Sequence, residues 1–479
     1  MQTVRKNIWP ALGIIVWILL IPAITYVASI DYKMSFILFA GVIGMAMVVA
    51  TLLNFRLGYF MLLTFGLTVR VVERMSGMEL SIGVPMDLLL FVVLIGSLIN
   101  NKDKSMSKVD FFRDPLLISF YVYIAYLLIQ FFNPNIYQRT GWTTFMRVFM
   151  RNMLFIYVTM KMIRSMEDVK QFFRFWLIIS TLAAFYGCIQ QWFGLMPFEK
   201  NYVALYPEKF KTVIILTGVR VFSFMSDPAV FGLLMACGII ICIILLTAKK
   251  SSISIPVKLM LLISLLLHMM SLGYSGTRTG YVMVPMGLLI FFLANLHRRN
   301  TLIMAVVFGM FAVLILYGPF YNNPTIIRVR TAFVGSEDAS LNVRDINRHR
   351  IQPYIYAHPI GGGVLTSGEE GKTFNPGHVL AGFPPDSGYL RVALEMGWIG
   401  IVIVGINTFL LLQYTVTNYF RSKTELDGLL LITISAVAFS MAVGQYAQEA
   451  AGLIESAFLL NALTGISIKI KYLQLNNKQ

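Results

Sequence analysis

Two arginines stand at the borders of long apolar runs: Arg220 in "GVRVFSFMSDPAVFG" and Arg278 in "SLGYSGTRTGYVMVP". A lone arginine beside an apolar helix reads first as a side chain that snorkels to lipid headgroups. Two of them at the mouths of different helices, with Arg344 in the long polar segment that follows, suit a second task. A guanidinium presents planar, parallel N–H donors that match the oxygens of a diphosphate, and fixed cations stabilise negative charge developing on a leaving group. Asp227 has a simpler reading beside them. With Pro228 it spells an N-cap followed by proline at the first helical position.

The elements that must position these cations are membrane helices. The chain of 479 residues is 57% hydrophobic and 13% charged, with a mean hydropathy of +0.73, more apolar than the core of a soluble domain can absorb. Apolar runs of about 20 residues, enough to cross a bilayer as a helix, recur along its length. They lack the alternation of a membrane barrel, and backbone in lipid must satisfy its own hydrogen bonds, so the runs are helices. The expected fold is an all-α polytopic membrane protein with about fourteen (12–14) transmembrane helices. The first run, residues 8–29, follows Arg5 and Lys6 as a signal peptide would, yet its length and lack of a small-x-small site make it a retained helix. Cys188, Cys237 and Cys242 all fall within apolar runs, as packing residues do.

With the N-terminus inside, one side receives the short basic connections: Arg56, the Lys102/Lys104/Lys108/Arg113 cluster, Lys249 and Lys250, Arg298 and Arg299, and Arg421 and Lys423. The basic tail joins them, which places both termini in the cytoplasm. The net charge of +16 follows from this topology and from attraction to an anionic inner leaflet, without any need for nucleic acid. The chain reads as a single polytopic domain, 1–479, with irregular outer segments at 195–227, 273–278 and 321–397. Within the last, "SLNVRDINRHRIQ" (340–352) predicts a helix with Arg344 and Arg348 on one face, and "HPIGGG" (358–363) breaks the chain. "DSGYLRVALEMG" (386–397) predicts a second amphipathic helix leading into a span near Trp398. Together they form an outer cap.

The order "RVFSFMSDPAVFG", "SGTRTG", an outer loop with Arg344 and "HPIGGG", then "DSGYLRVALEMGWIG" resembles the O-antigen ligase and Wzy-type O-antigen polymerase superfamily of bacterial envelope glycosyltransferases. The likeness covers roughly residues 30–465 in layout and these four patches in residues. It implies a multi-pass protein of the bacterial cytoplasmic (inner) membrane that moves a glycan from undecaprenyl diphosphate to an acceptor hydroxyl, a glycan or glycolipid, with neither metal nor other cofactor. Arg220 and Arg278 match arginines that hold the diphosphate in that family, and Arg344 matches an outer-loop arginine. Inversion at the anomeric carbon is implied in the same way.

Such chemistry asks for cations at the leaving diphosphate and a base for the attacking hydroxyl. Family members commonly carry a histidine shortly before a "YL" pair. Here "PPDSGYL" puts Asp386 at that position, so the candidate bases are Asp386 and His378, the latter eight residues earlier in "NPGHVLAG". Each has a plainer alternative: an N-cap for Asp386, an ordinary loop residue for His378. Glu395 also fits a family position, with a structural role in the loop helix as the equal reading. No Asp-x-Asp pair occurs on the outer segments. "TSGEEGKT" (366–373) imitates the end of a phosphate-binding loop but lacks its first glycine and any βα unit. His268 within a span reads as an interhelical hydrogen-bond partner, and Arg147 with Arg151 as either cavity-lining or interfacial. The rival from another class is a transporter or flippase for lipid-linked oligosaccharides, which would place its site nearer the midplane at a repeat interface.

Overall fold

The protein, analysed as a computed structural model, is described at residues 21–22, 25–26, 29, 32–77, 83–99, 106–107, 109–215, 218–296, 298–320, 324–331, 333 and 339–476. The expected first span, 8–29, and Lys102, Lys104 and Lys108 lie largely or wholly outside that set. The described elements are helical apart from one two-residue antiparallel hairpin, β1 (Ile214–Ile215) with β2 (Gly218–Val219), an architecture that fits a polytopic membrane protein.

Chain order gives α1 (Tyr32–Leu53), α2 (Phe55–Ser76), α3 (Gly83–Ile99), α4 (Pro115–Gln130), α5 (Thr140–Met162), α6 (Met166–Phe193), and the short α7 (Pro197–Leu205) and α8 (Pro207–Val213). After the hairpin come α9 (Pro228–Leu246), α10 (Ile255–Ser275), α11 (Arg278–Ala294), α12 (Arg299–Tyr317) and α13 (Pro324–Thr331). The cap contributes α14 (Ala339–Ala357) and α15 (Gly368–Phe374), and α16 (Gly388–Phe420), α17 (Glu425–Ala447) and α18 (Ile454–Asn476) complete the chain. Six of these, α2, α6, α9, α10, α16 and α17, are long and apolar enough to cross a membrane; Ile37–Leu53, Gly83–Ile99, Pro115–Gln130, Arg278–Ala294 and Thr301–Tyr317 are shorter apolar helical stretches. Helices α5 and α18, read as spans, are long enough but carry Arg147, Arg151 and Lys161 on one and Glu455, Lys469 and Lys471 on the other.

Helix α9 occupies the centre, packed against α6, α10, α11 and α17. Nearly all its side chains are buried, which is why it is apolar on every face. Its start is fixed as the dipeptide predicts: the Asp227 carboxylate accepts from the amides of Ala229 (2.7 Å) and Val230 (3.0 Å), with Pro228 at the first helical position. Gly232 then lets the α10–α11 turn close onto α9. A Cβ there would lie 2.4 Å from the Thr277 side chain. Thr277 Oγ1 donates to the Pro228 carbonyl at 2.8 Å, so the residue before Arg278 is bolted to the residue after Asp227.

The two helices predicted within 321–397 are present. The 340–352 pattern is part of α14, and the "HPIGGG" turn seats on α16. There Gly397 has φ 65° and ψ −162°, a kink within the helix, and its Cβ position is filled by the Pro359 carbonyl. Trp398 N–H donates to Pro359 O at 2.9 Å, and the amides of Gly362 and Gly363 donate to Leu394 O and Glu395 O at 2.8 Å. The amphipathic 388–396 stretch and the following span are thus one bent helix. Ser387 is its N-cap, accepting from Leu390 N–H, which displaces the expectation that Asp386 caps it.

Two intramembrane readings resolve. Arg147 and Arg151 both pair with Asp87 of α3, each at 3.5 Å, so they form an α3–α5 contact. His268 is buried against Gly238 of α9, but its hydrogen bond goes to Ser264 O of its own helix at 2.7 Å, correcting the interhelical expectation.

Candidate active site

A cavity of about 770 Å³ lies where the α10–α11 turn, the segment before α9, the cap and the α17–α18 link meet. Arg220, Arg278 and Asp386 all line it. Residues far apart in sequence therefore share one chamber, while His378 does not line it.

Arg220 follows β2 and is held by three acceptors. Its Nε donates to Ser275 O at 2.8 Å, Nη1 to Thr212 O at 3.3 Å and Nη2 to Thr277 Oγ1 at 3.5 Å. Burial draws its pKa below the ordinary arginine value, Asp227 opposes that, and the neighbouring Arg328 and Arg278 reinforce it. An arginine guanidinium remains a cation under physiological conditions. Arg278 is the first residue of α11, directly after the Gly276 turn (φ 62°), a left-handed conformation suited to glycine. Arg328 of α13 reaches the same turn. A Cβ on Gly276 would lie 3.4 Å from both the Arg220 and the Arg328 side chains. Three guanidinium groups therefore gather about one tight turn.

The segments 368–391 and 447–449 give the same cavity an acidic lining. Glu369 and Glu370 of α15, Asp386 and Glu449 line it together with Arg391. Asp386 sits in a left-handed conformation (φ 48°) uncommon for a non-glycine residue, between Pro385 and the Ser387 cap. The next residues anchor it: Ser387 Oγ donates to Gln445 O at 3.1 Å and Tyr389 OH to Ala442 O at 2.9 Å, both on α17. Arg391 binds Glu370 at 2.6 Å and Glu449 at 3.0 Å, and approaches Glu395 at 3.8 Å, so it ties cap, bent helix and α17–α18 link together. Burial raises the Glu449 pKa against the opposing pull of Arg391.

His378 is buried beneath Tyr137, ring centroids 5.1 Å apart, and its Nδ1 accepts from Leu380 N–H at 3.1 Å. Burial lowers its pKa, with a backbone hydrogen bond at Asn135 opposing. Glu395 is wholly engaged in the cap, accepting from Leu365 N–H (2.9 Å), Ser367 N–H and Ser367 Oγ. The Arg344 backbone lies in α14, and its side chain is outside the described set. One turn later, Arg348 donates to Tyr446 OH and O at 3.2 and 3.3 Å, joining α14 to the end of α17.

Residues 261–405 match the family model for O-Antigen ligase. The resemblance to the O-antigen ligase and Wzy-type polymerase superfamily holds across that stretch, which runs from α10 into α16. No curated protein matches the chain. The O-antigen ligase segment contains Arg278, Arg328, Arg344, His378, Asp386, Arg391 and Glu395. Arg220 and Glu449 lie outside it in sequence and reach its cavity through the fold.

Three charged residues in or beside the cavity escaped the sequence reading. Arg328 stood in "RVRT" as one of several loop charges, with no motif to single it out. Arg391 was visible only as the arginine of "GYLRVALE". Glu449 sits in the short link "QEAAG", where nothing local signals a cavity.

Proposed function

We propose that the protein is a glycosyltransferase of the bacterial cytoplasmic membrane. It takes a glycan from an undecaprenyl-diphosphate-linked donor and passes it to the hydroxyl of a glycan or glycolipid acceptor on the outer face, in the manner of an O-antigen ligase or polymerase. The observation that carries this reading is the lining of a single cavity by Arg220, Arg278 and Asp386.

The arginine side of the chamber receives the diphosphate. Arg220 and Arg278, with Arg328 close by, offer charge-assisted donors to oxygens whose negative charge grows as the sugar leaves, and the resemblance adds Arg344 of α14 to them. Asp386, in the lining of the same cavity, takes the proton of the acceptor hydroxyl. The acceptor oxygen forms its bond to the anomeric carbon as the carbon–oxygen bond to the diphosphate breaks, and the lipid diphosphate departs with that electron pair. In-line attack inverts the anomeric configuration. His378, held under Tyr137, supports the loop beside Asp386, and its conversion to alanine is the control for the base assignment.

The test is transfer by purified protein given an undecaprenyl-diphosphate-linked glycan. Wild-type protein should form the glycosidic product, and Arg278→Ala should slow it strongly. Transfer by Arg278→Ala at the parental rate removes that residue from the site. Movement of the donor headgroup across a reconstituted vesicle without any new linkage would favour the flippase reading.

A further inference from the structure

The segment between Arg220 and Asp227 is held by a buried polar chain remote from the cavity. Arg74, near the end of α2, is 4% exposed. Its Nη2 donates to Met225 O at 3.1 Å, its Nε to Arg70 O at 3.1 Å, and its guanidinium stacks over the Phe222 ring at 4.7 Å. The charge is balanced by Glu199 of α7, 1% exposed and 3.8 Å away. Glu199 in turn accepts from Gln190 Nε2 (2.7 Å), Tyr186 OH (3.1 Å) and its own helix start at Met196 N–H (3.0 Å). Gln190 Oε1 closes the chain by accepting the amides of Phe222 (3.2 Å) and Ser223 (2.8 Å).

This arrangement grips residues 222, 223 and 225 from one side, through groups on α2, α6 and α7. The gripped backbone is not one the segment would choose unaided, since Ser223 has φ 51°. Its hydroxyl donates to Ala183 O at 2.7 Å, and Glu455 accepts from Ser226 N–H at 2.9 Å. Buried charges and amides cost free energy unless paired, so this chain, in which Arg74 Nη1 has the 3.8 Å ion pair to Glu199 but no hydrogen bond, has few alternative geometries. It fixes the path of the five residues that follow Arg220 and hence the direction from which that guanidinium enters the cavity.

We propose that Arg74, Glu199 and Gln190 are positioning residues for Arg220, and through it for the donor diphosphate. None of them touches the cavity. The inference rests on the functional reading above, which makes Arg220 a diphosphate ligand. If that holds, loosening the chain should weaken donor use, in binding and in turnover, while leaving acceptor binding nearly intact.

The experiment is steady-state transfer by full-length purified protein, with an undecaprenyl-diphosphate-linked glycan as donor, for Arg74→Met, Gln190→Leu, Arg220→Ala and each double variant with Arg220→Ala. Thermal unfolding is recorded for all, and Gln190→Leu, close in size and uncharged, covers the case in which Arg74→Met fails to fold. Expected is a donor kcat/KM lowered by about tenfold in each single variant, with the acceptor KM within about twofold of wild type. Combined with Arg220→Ala, neither change should weaken donor use further, because the residues act through one contact. Losses that multiply in the double variants, or that raise the acceptor KM as much as they lower donor kcat/KM, overturn the proposal. A parental donor kcat/KM in Gln190→Leu overturns it as well. Arg220→Ala at wild-type activity would instead strike down the functional reading beneath it.

Discussion

Replacing Gly397 with alanine should detach the cap from the bent helix α16. The residue occupies φ 65° and ψ −162°, a region reserved for glycine, at a strain of about 2 kcal/mol for any other residue. The new Cβ would stand 1.9 Å from Pro359 O, 2.5 Å from Pro359 C and 2.7 Å from Gly361 N, all backbone atoms that no rotamer change can move aside. Relief requires the 359–363 turn to lift, breaking the Trp398-to-Pro359, Gly362-to-Leu394 and Gly363-to-Glu395 hydrogen bonds. At about 1 kcal/mol each, opening costs about 3 kcal/mol in the parent, less than the backbone overlap and strain it relieves in the variant. At 1.4 kcal/mol per tenfold, a cap held closed by about 3 kcal/mol in the parent and barred from closing in the variant gains about a hundredfold in open population. Hydrogen exchange should then speed up across 359–370, the stretch that ends in the Glu369–Glu370 wall of the cavity, while protection of the buried helix α9 stays as in the parent. Parental protection across 359–370 would refute the argument that this glycine is required by close backbone approach.

The base assignment separates cleanly: Asp386→Asn should cost at least about a hundredfold in transfer, within the usual range for a general base, and His378→Ala much less. A fully active Asp386→Asn turns attention back to His378. Arg391→Leu strips the shared partner from Glu370 and Glu449 and should lower stability by about 2–4 kcal/mol in thermal unfolding, less than a fully buried pair because both carboxylates keep some exposure. Acidification should restore part of that loss, since protonation removes the unpaired charge; a loss independent of pH contradicts the account. The His378 pKa is lowered from its ordinary 6.5. The unfolded loop therefore binds a proton first as pH falls, so cap stability is complete above about 6.5 and declines below it. Exchange protection at 375–381 should drop between about pH 7 and pH 5, and an unchanged profile would count against burial of the neutral ring.

Much of the frame was legible because it follows from local chemistry. Asp227 with Pro228 is a helix start by capping alone, and "HPIGGG" is a break by glycine freedom alone. The two arginines at helix mouths were conspicuous because cations are costly beside lipid. What was not legible depends on tertiary approach. Gly397 reads as an unremarkable residue in "ALEMGWIG" until the Pro359 carbonyl is seen filling its Cβ position. An apolar run therefore shows that a helix exists but not where it bends or starts, which is why Ser387 and not Asp386 caps α16. Sequence proximity likewise misleads for His378, eight residues from Asp386 yet turned under Tyr137 and away from the chamber. Arg328 and Glu449 enter the site only because α13 folds onto the Gly276 turn and the α17–α18 link lies beside the cap.

The central claim, that guanidinium groups at this cavity hold a lipid diphosphate, is tested most directly by equilibrium binding of undecaprenyl diphosphate to purified protein, free of any acceptor or turnover. Loss of a charge-assisted hydrogen bond is worth about 1.5–3 kcal/mol, so Arg220→Ala and Arg278→Ala should each bind about 10- to 100-fold more weakly, with Arg147→Ala, paired to Asp87 elsewhere, binding as the parent does. Equal affinity in the parent, Arg220→Ala and Arg278→Ala would contradict the account.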